Sequence, residues 1–233
     1  RIDIKRYWDM KFPEDGEYAD LPEEYYAERL EDLLIDSTRL QLRSDVPVGA
    51  YLSGGLDSSI TTALIKKYTN SPLKTFSVAF EDKAYDESGF QRSLVNHLNT
   101  DHKEVICSYT DIAKAFPDVI WHTEKPILRT APAPLYLLSK LVRDSGIKVV
   151  LTGEGADEVL AGYDIFKEAK IRRFWAKMPD SKFRSSLLRR LYPYLPAMQT
   201  QSKFYLEAFF QTGLSELSDE FFSHLPRWNT TAK

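Results

Sequence analysis

The sequence predicts an α/β protein, a mainly parallel sheet covered by helices, followed by a C-terminal helical extension. Three observations carry this. Short apolar, β-branched runs alternate with helical patterns over residues 48–151, as successive βαβ units do. Two of those runs end in glycine-rich turns, Ser53-Gly54-Gly55 and Thr152-Gly153-Glu154-Gly155. From residue 164 onward only helical patterns remain, punctuated by Pro179, Pro193, Pro196 and Gly213.

In chain order, residues 7–22 mix aromatics with Pro13, Gly16 and acids, the composition of an irregular lead-in. Residues 23–43 read as a helix: Leu30, Leu33, Leu34, Thr38 and Leu42 share a face, while Glu28, Glu31, Asp32 and Asp36 solvate the rest. It is expected to pack over the sheet. Residues 48–52 form the first strand and 58–68 the helix after it, broken at Asn70-Ser71-Pro72. Strand 75–80, helix 86–98, strand 102–106 and helix 110–121 follow, with Asp86 as a helix cap. A bend at Pro126, Pro132 and Pro134 leads to helix 135–144 and a buried strand at 147–151. Helices are expected at 166–175, 181–191, 202–210 and 215–222. The domain reading is 1–24 as lead-in, 25–163 as the α/β domain and 164–233 as the helical extension.

The chemistry concentrates in the two glycine turns. An apolar strand running into Ser53-Gly54-Gly55 and then a helix gathers backbone N–H groups where an anion is favoured. Unlike a Walker A loop, this one has no lysine. It carries Asp57 ahead of Ser58 and Ser59, and a carboxylate beside phosphate repels it unless a hard cation intervenes, so magnesium is expected. The second turn repeats the design, with Glu154 between glycines and the acidic pair Asp157 and Glu158. In open α/β sheets such loops meet beyond the carboxyl ends of the strands, which would bring Asp57 and Asp157 to one magnesium triphosphate. The plainer alternative, a turn with helix-capping Asp and Ser residues, stays open for each loop.

The chain has 233 residues, 31 Lys plus Arg against 34 acidic residues and a formal charge of -3, which offers no electrostatic case for nucleic acid. The basic residues from Lys170 to Arg190, Arg172 and Arg173 among them, read as a solvated helical face. The single cysteine, Cys107, excludes an intrachain disulfide framework and a Cys-rich zinc site, and reads as a partly buried small hydrophobe. No apolar run is long enough for a bilayer, so a cytoplasmic, membrane-free protein is expected. The four histidines lack ligand-like spacing.

The segments Ser-Gly-Gly-Leu-Asp-Ser-Ser (53–59), Lys-Thr-Phe-Ser-Val-Ala-Phe (74–80) and Thr-Gly-Glu-Gly-Ala-Asp-Glu (152–158) resemble the synthetase domain of glutamine-dependent asparagine synthetases, which are N-type ATP pyrophosphatases. The resemblance runs over residues 25–163, with weaker helical likeness beyond. It implies a PP-loop, adenine nucleotide alpha hydrolase-like fold, and ATP with Mg2+. The implied reaction is attack of the aspartate β-carboxylate on the α-phosphorus, giving β-aspartyl-AMP and pyrophosphate, then displacement of AMP by ammonia. It implies that Leu52 and Val78 bracket the adenine and that Thr152 and Gly153 complete the pocket, Thr152 replacing the usual serine. Ser53, Gly54, Gly55, Asp57, Ser58 and Ser59 would hold the triphosphate, and Asp57 and Asp157 the magnesium. Glu154 would be the catalytic carboxylate, while Glu158 is expected to be structural. Lys125 and Arg129 sit near the Pro-rich bend and read first as ordinary surface charges, with contact to a substrate carboxylate as the alternative.

The family also carries an N-terminal glutaminase domain with a cysteine nucleophile, expected here in the full-length protein, so glutamine hydrolysis is not assigned to these residues. A later phosphate-stabilising lysine of the family has no clear counterpart, which leaves open whether this fragment is active alone. The competing readings are another N-type ATP pyrophosphatase, such as a β-lactam-forming synthetase, and a non-catalytic nucleotide-binding module.

Overall fold

A computed structural model of the chain describes residues 2–9, 11, 17, 19–68, 72–83 and 86–231. Pro13, Gly16, Asn70 and Ser71, read above as irregular or helix-breaking, lie outside these residues. The chain divides into two compact units, Arg1–Gly153 and Glu154–Lys233.

The first unit is built on four parallel strands: β1 (Val48–Tyr51), β2 (Lys74–Phe80), β3 (Asp101–Cys107) and β4 (Val149–Leu151), in the order β3-β2-β1-β4. Registers are set by Ala50, which pairs with Thr75 on one side and Leu151 on the other, and by Val78 opposite Val105. Side chains alternate between the two faces, as the period of two requires. On one face Phe76 packs with Leu138, Val142 and Ile147, joined by Tyr51, Val78, Val105 and Val150. On the other, Ala50 packs with Ile65 and Leu73, joined by Leu42 and Leu151. The helices that supply these residues are α2 (Leu56–Tyr68) and α5 (Pro132–Asp144), so the sheet is covered on both faces. This is the α/β class expected.

Helix α3 (Ser88–Leu98) opens where Asp86 accepts from Ser88 N at 3.2 Å and Ser88 Oγ at 2.9 Å. Those bonds hold the Asp86 carboxyl below its ordinary range, but the N-cap itself is Glu87, without a side-chain bond, so Asp86 shapes the turn before the helix instead of capping it as expected. Helix α4 (Tyr109–Thr123) starts at a reciprocal box, Asp111 N to Ser108 Oγ at 3.1 Å and Ser108 N to Asp111 Oδ2 at 3.0 Å.

Three expectations are corrected here. Helix α1 (Glu23–Gln41) packs against α2 rather than over the sheet, burying only Thr38 and leaving Leu33 53% exposed. Strand β4 is three residues long at the sheet edge with Val149 exposed, because a single neighbour, β1, pairs with it. Ile147 keeps its core contacts from outside the strand. Cys107 is fully rather than partly buried, and burial pushes its thiol up.

The second unit contains α6 (Ala156–Leu160), α7 (Asp164–Ala176), a 3-10 turn (Arg184–Arg190), α8 (Pro196–Gln199), α9 (Lys203–Phe210) and α10 (Leu225–Thr231). Its core joins Trp175, Leu188, Leu191, Leu206, Phe210 and Leu214. The helix expected at 215–222 is replaced by turns, and the last helix starts later. There Asp219 Oδ1 takes the Phe221 N–H at 2.7 Å, a local bond that competes with helical pairing. Arg172 is fully buried, not part of a solvated face. Its guanidinium donates to the carbonyls of Phe210, Thr212 and Phe222 at 3.0, 2.7 and 2.6 Å and lies 4.1 Å from the Phe222 ring centre. Beside it, buried Glu168 accepts two bonds from Arg227, at 3.0 and 2.8 Å, and one from Tyr192.

Candidate active site

The strand order creates the site. The chain winds from β1 through β2 to β3 on one side, then crosses to β4 on the other side of β1. Since all strands run parallel, the turns after β1 and β4 leave neighbouring strands at the same edge of the sheet. That is the topological switch point where open α/β sheets bind ligands.

The turn after β1 is held by its own hydroxyls. Leu52, fully buried, donates its N–H to Phe76 O at 2.9 Å, the last tie to β2. Ser58 Oγ accepts from Ser53 N at 3.1 Å, lies 2.8 Å from Ser53 Oγ and donates to Gly55 O at 3.2 Å. Ser59 Oγ reaches Gly55 O at 2.6 Å, and Gly55 N donates to Ser53 Oγ at 3.2 Å. Gly54 adopts φ +85°, a left-handed conformation that glycine accepts without strain. Ser58 is therefore a buried strut, whereas Ser53 remains exposed and Asp57 half-buried in the first turn of α2.

The second turn meets the first. A Cβ built on Gly153 would sit 2.8 Å from Asp57 Cβ and 2.8 Å from Ser58 N, so only glycine lets the end of β4 approach the start of α2 this closely. Leu52, Ser53, Gly54, Gly55, Asp57, Ser58 and Gly153 thus form one continuous structure, with exposed Thr152 beside Gly153 in the chain. Val78, half-buried in β2, joins them through Gln91: its amide Nε2 donates to Val78 O at 3.0 Å and to Ser53 O at 3.2 Å. Gln91 escaped the sequence reading. It occupies one of many polar positions in an amphipathic helix, and no periodicity marks it as 2% exposed.

Glu154 and Asp157 belong to the second unit. Glu154 is exposed, and Gly155 adopts φ +91° before α6. Asp157, in the first turn of α6, is half-buried against Gly162, where any Cβ would collide with its Oδ1. Glu158 accepts from Tyr163 Oη at 3.1 Å, which keeps that phenol above its ordinary range. That is a structural part for Glu158.

Among the described residues no three or more His, Cys, Asp or Glu side chains gather as a metal cage. Magnesium seldom uses one, because it is commonly held by one or two carboxylates with substrate phosphates and water. Asp57 and Asp157 are oxygen donors of that kind, each half-buried and each given room by a glycine, Gly153 and Gly162. Asp57 in the first unit and Asp157 in the second each offer a carboxylate oxygen of the type such an ion takes.

A cavity of about 1100 Å³ opens beyond the carboxyl ends of β2 and β3. Phe80, Cys107, Ile112 and Leu128 give it an apolar wall, and Asp82, Glu87 and Arg129 bring charges of both signs. Of the two cations noted in the sequence, Arg129 lines this space and Lys125 does not.

The family model described as asparagine synthase matches residues 29–232. The chain is 34% identical over 158 residues to glutamine-hydrolyzing asparagine synthetase 1 of Bacillus subtilis, covering 68% of this chain and 25% of that protein. It is 34% identical over 194 residues to the corresponding synthetase B of Escherichia coli, covering 77% and 34% respectively. An amidase, chyE, of Penicillium rubens is 35% identical over 181 residues, covering 72% of this chain and 27% of the amidase. The chain therefore spans about a quarter to a third of the length of these relatives.

Proposed function

The chain belongs to the asparagine synthase family, and from that premise we propose that its α/β unit binds ATP at the β1/β4 switch point for the amidation of aspartate. The observation that carries this is the contact of Gly153 with Asp57 and Ser58, which joins two glycine turns 100 residues apart in the sequence. Relatives named as asparagine synthetases support the substrate.

In this reading Leu52 and Val78 flank the adenine, and the turn Ser53-Gly54-Gly55 with Ser58, Ser59, Thr152 and Gly153 encloses the phosphates. Backbone N–H groups and hydroxyls preset around an anion need no reorganisation as charge develops on the α-phosphate. Asp57 and Asp157 would hold the Mg2+. When bound, that ion offsets triphosphate charge as a second carboxylate approaches. The cavity with Arg129, Asp82 and Glu87 suits a zwitterionic amino acid, Arg129 facing a carboxylate and the acids an ammonium group. Glu154 would then orient ammonia or accept its proton as AMP leaves. We assign glutamine hydrolysis to a separate glutaminase domain of the full-length protein, and a cytoplasmic setting to the whole. No helix among the described residues is long and apolar enough to cross a membrane.

A second reading follows from the amidase relative, which matches as strongly as the synthetases: the same adenylation directed at a different carboxylate. Pyrophosphate release from ATP and magnesium, with ammonia and a panel of carboxylic acids, separates the two. Aspartate-dependent release, lost in Asp57→Ala and Glu154→Gln, is expected. Release with another acid alone would move the assignment to the second reading, and release in neither case would overturn both.

A further inference from the structure

We infer that Gln91 is a positioning residue for the nucleotide, acting through the peptide between Ser53 and Gly54. This rests on the nucleotide reading above. Beyond Leu52, β1 and β2 part, and the next carbonyl of β2 on that side, Val78 O, loses its strand partner. A buried carbonyl needs a donor. Gln91 supplies it at 3.0 Å and spends its second amide N–H on Ser53 O at 3.2 Å, so one carboxamide bridges the gap the diverging strands leave. Its Oε1 is buried without a partner among the described residues. Turning the amide over would set that oxygen against two carbonyls, which fixes the orientation.

The consequence lies one bond away. In a planar trans peptide the C=O and the following N–H point in opposite directions. With Ser53 O drawn inward to Gln91, the Gly54 N–H faces outward, and no acceptor reaches it among the described residues. Helix α3 also wedges the turn from below, since a Cβ on Gly54 would lie 3.1 Å from Phe90 Cβ and 3.2 Å from Gln91 N. Gln91 therefore aims one backbone donor at the phosphate position and sets the width between Leu52 and Val78, where the adenine is placed.

The test compares the full chain with Gln91→Met, which keeps the volume and removes both donors. ATP binding is measured by calorimetry, KM for ATP and for aspartate by pyrophosphate release, and folding by thermal unfolding. We expect Kd and KM for ATP to rise about tenfold, with KM for aspartate unchanged. A parallel loss for both substrates would mean a merely structural role and overturn the inference. In the wild-type chain, exchange of the Gly54 amide should slow when ATP is added, a readout that holds even where the variant does not fold. Wild-type ATP binding with unaltered Gln91→Met affinity, or with an unprotected Gly54 amide, refutes this inference and leaves the nucleotide reading standing. Absence of ATP binding by the wild type refutes the reading itself.

Discussion

Replacing Gly153 with alanine probes the contact on which the site is built. The added methyl would lie 2.8 Å from both Asp57 Cβ and Ser58 N, where ordinary contacts begin at 3.4 Å. The end of β4 and the first turn of α2 must therefore separate by about 0.6 Å, and the atoms in the way are helix backbone and a Cβ, which have no rotamer to change. Overpacking of this kind costs about 1–3 kcal/mol. Since a misplacement of about 1 Å can cost about 100-fold in rate, a fall on the order of tenfold or more in pyrophosphate release is expected. Gly146→Ala serves as the comparison. Unlike Gly153, Gly146 has positive φ, +76°, and nothing lies within 4 Å of its Cβ position. That variant should lose about 1 kcal/mol through backbone strain alone and keep its turnover. Thermal unfolding and pyrophosphate release on the three proteins decide the matter. Wild-type melting and wild-type turnover in Gly153→Ala would show that the two turns do not meet.

Two further outcomes follow from groups outside the site. Arg172→Met strips two buried carbonyls and one half-buried carbonyl of their donor and should destabilise the second unit by about 3–5 kcal/mol, read as an earlier unfolding transition in Trp175 fluorescence; an unshifted transition would exclude the buried hub. His102 sits between Thr75 Oγ1 at 2.9 Å and Ser77 Oγ at 3.1 Å, and burial lowers its pKa from 6.5. Arg92 reinforces that shift, while Glu104 and Asp101 oppose it. The unfolded state then takes up the proton at higher pH, so His102 contributes stability that is complete above its unfolded pKa and declines as pH falls through the folded one. Urea unfolding from pH 7.5 to about 5 should show a shallower acid-side decline in His102→Gln, and an identical decline would assign the loss to other groups.

The α/β alternation was legible because strands and helices differ in period, and the two glycine turns because each follows an apolar run directly. What escaped depends on contacts between distant residues. Residues 215–222 have a helical pattern, yet Asp219 bonds locally and the Phe222 carbonyl is claimed by Arg172. Arg172 itself looks like one more cation in a basic stretch, since nothing local reveals that three carbonyls await it. The apolar stripe of α1 predicts burial, but only Thr38 achieves it, because a stripe records a preference and not a partner. At the candidate site the string of small and hydroxylic residues was visible, and the reason Gly153 must be glycine was not: it lies in a helix start 95 residues earlier, at Ser58. Gln91 is hidden for the same cause, its two acceptors lying in β2 and in the turn after β1.

Pairing of Val48 with Val149 has a consequence for the order in which the molecule is made. When β1, β2 and β3 have left the ribosome, β1 still has a bare side, and it stays bare until β4 follows, beginning at Val149 where β3 ended at Cys107. Such long-range closure is slow and leaves an open edge during synthesis. The nascent chain therefore has its first glycine turn well before it has the opposing wall, and under the proposed function ATP can aid folding only after residue 153 has emerged.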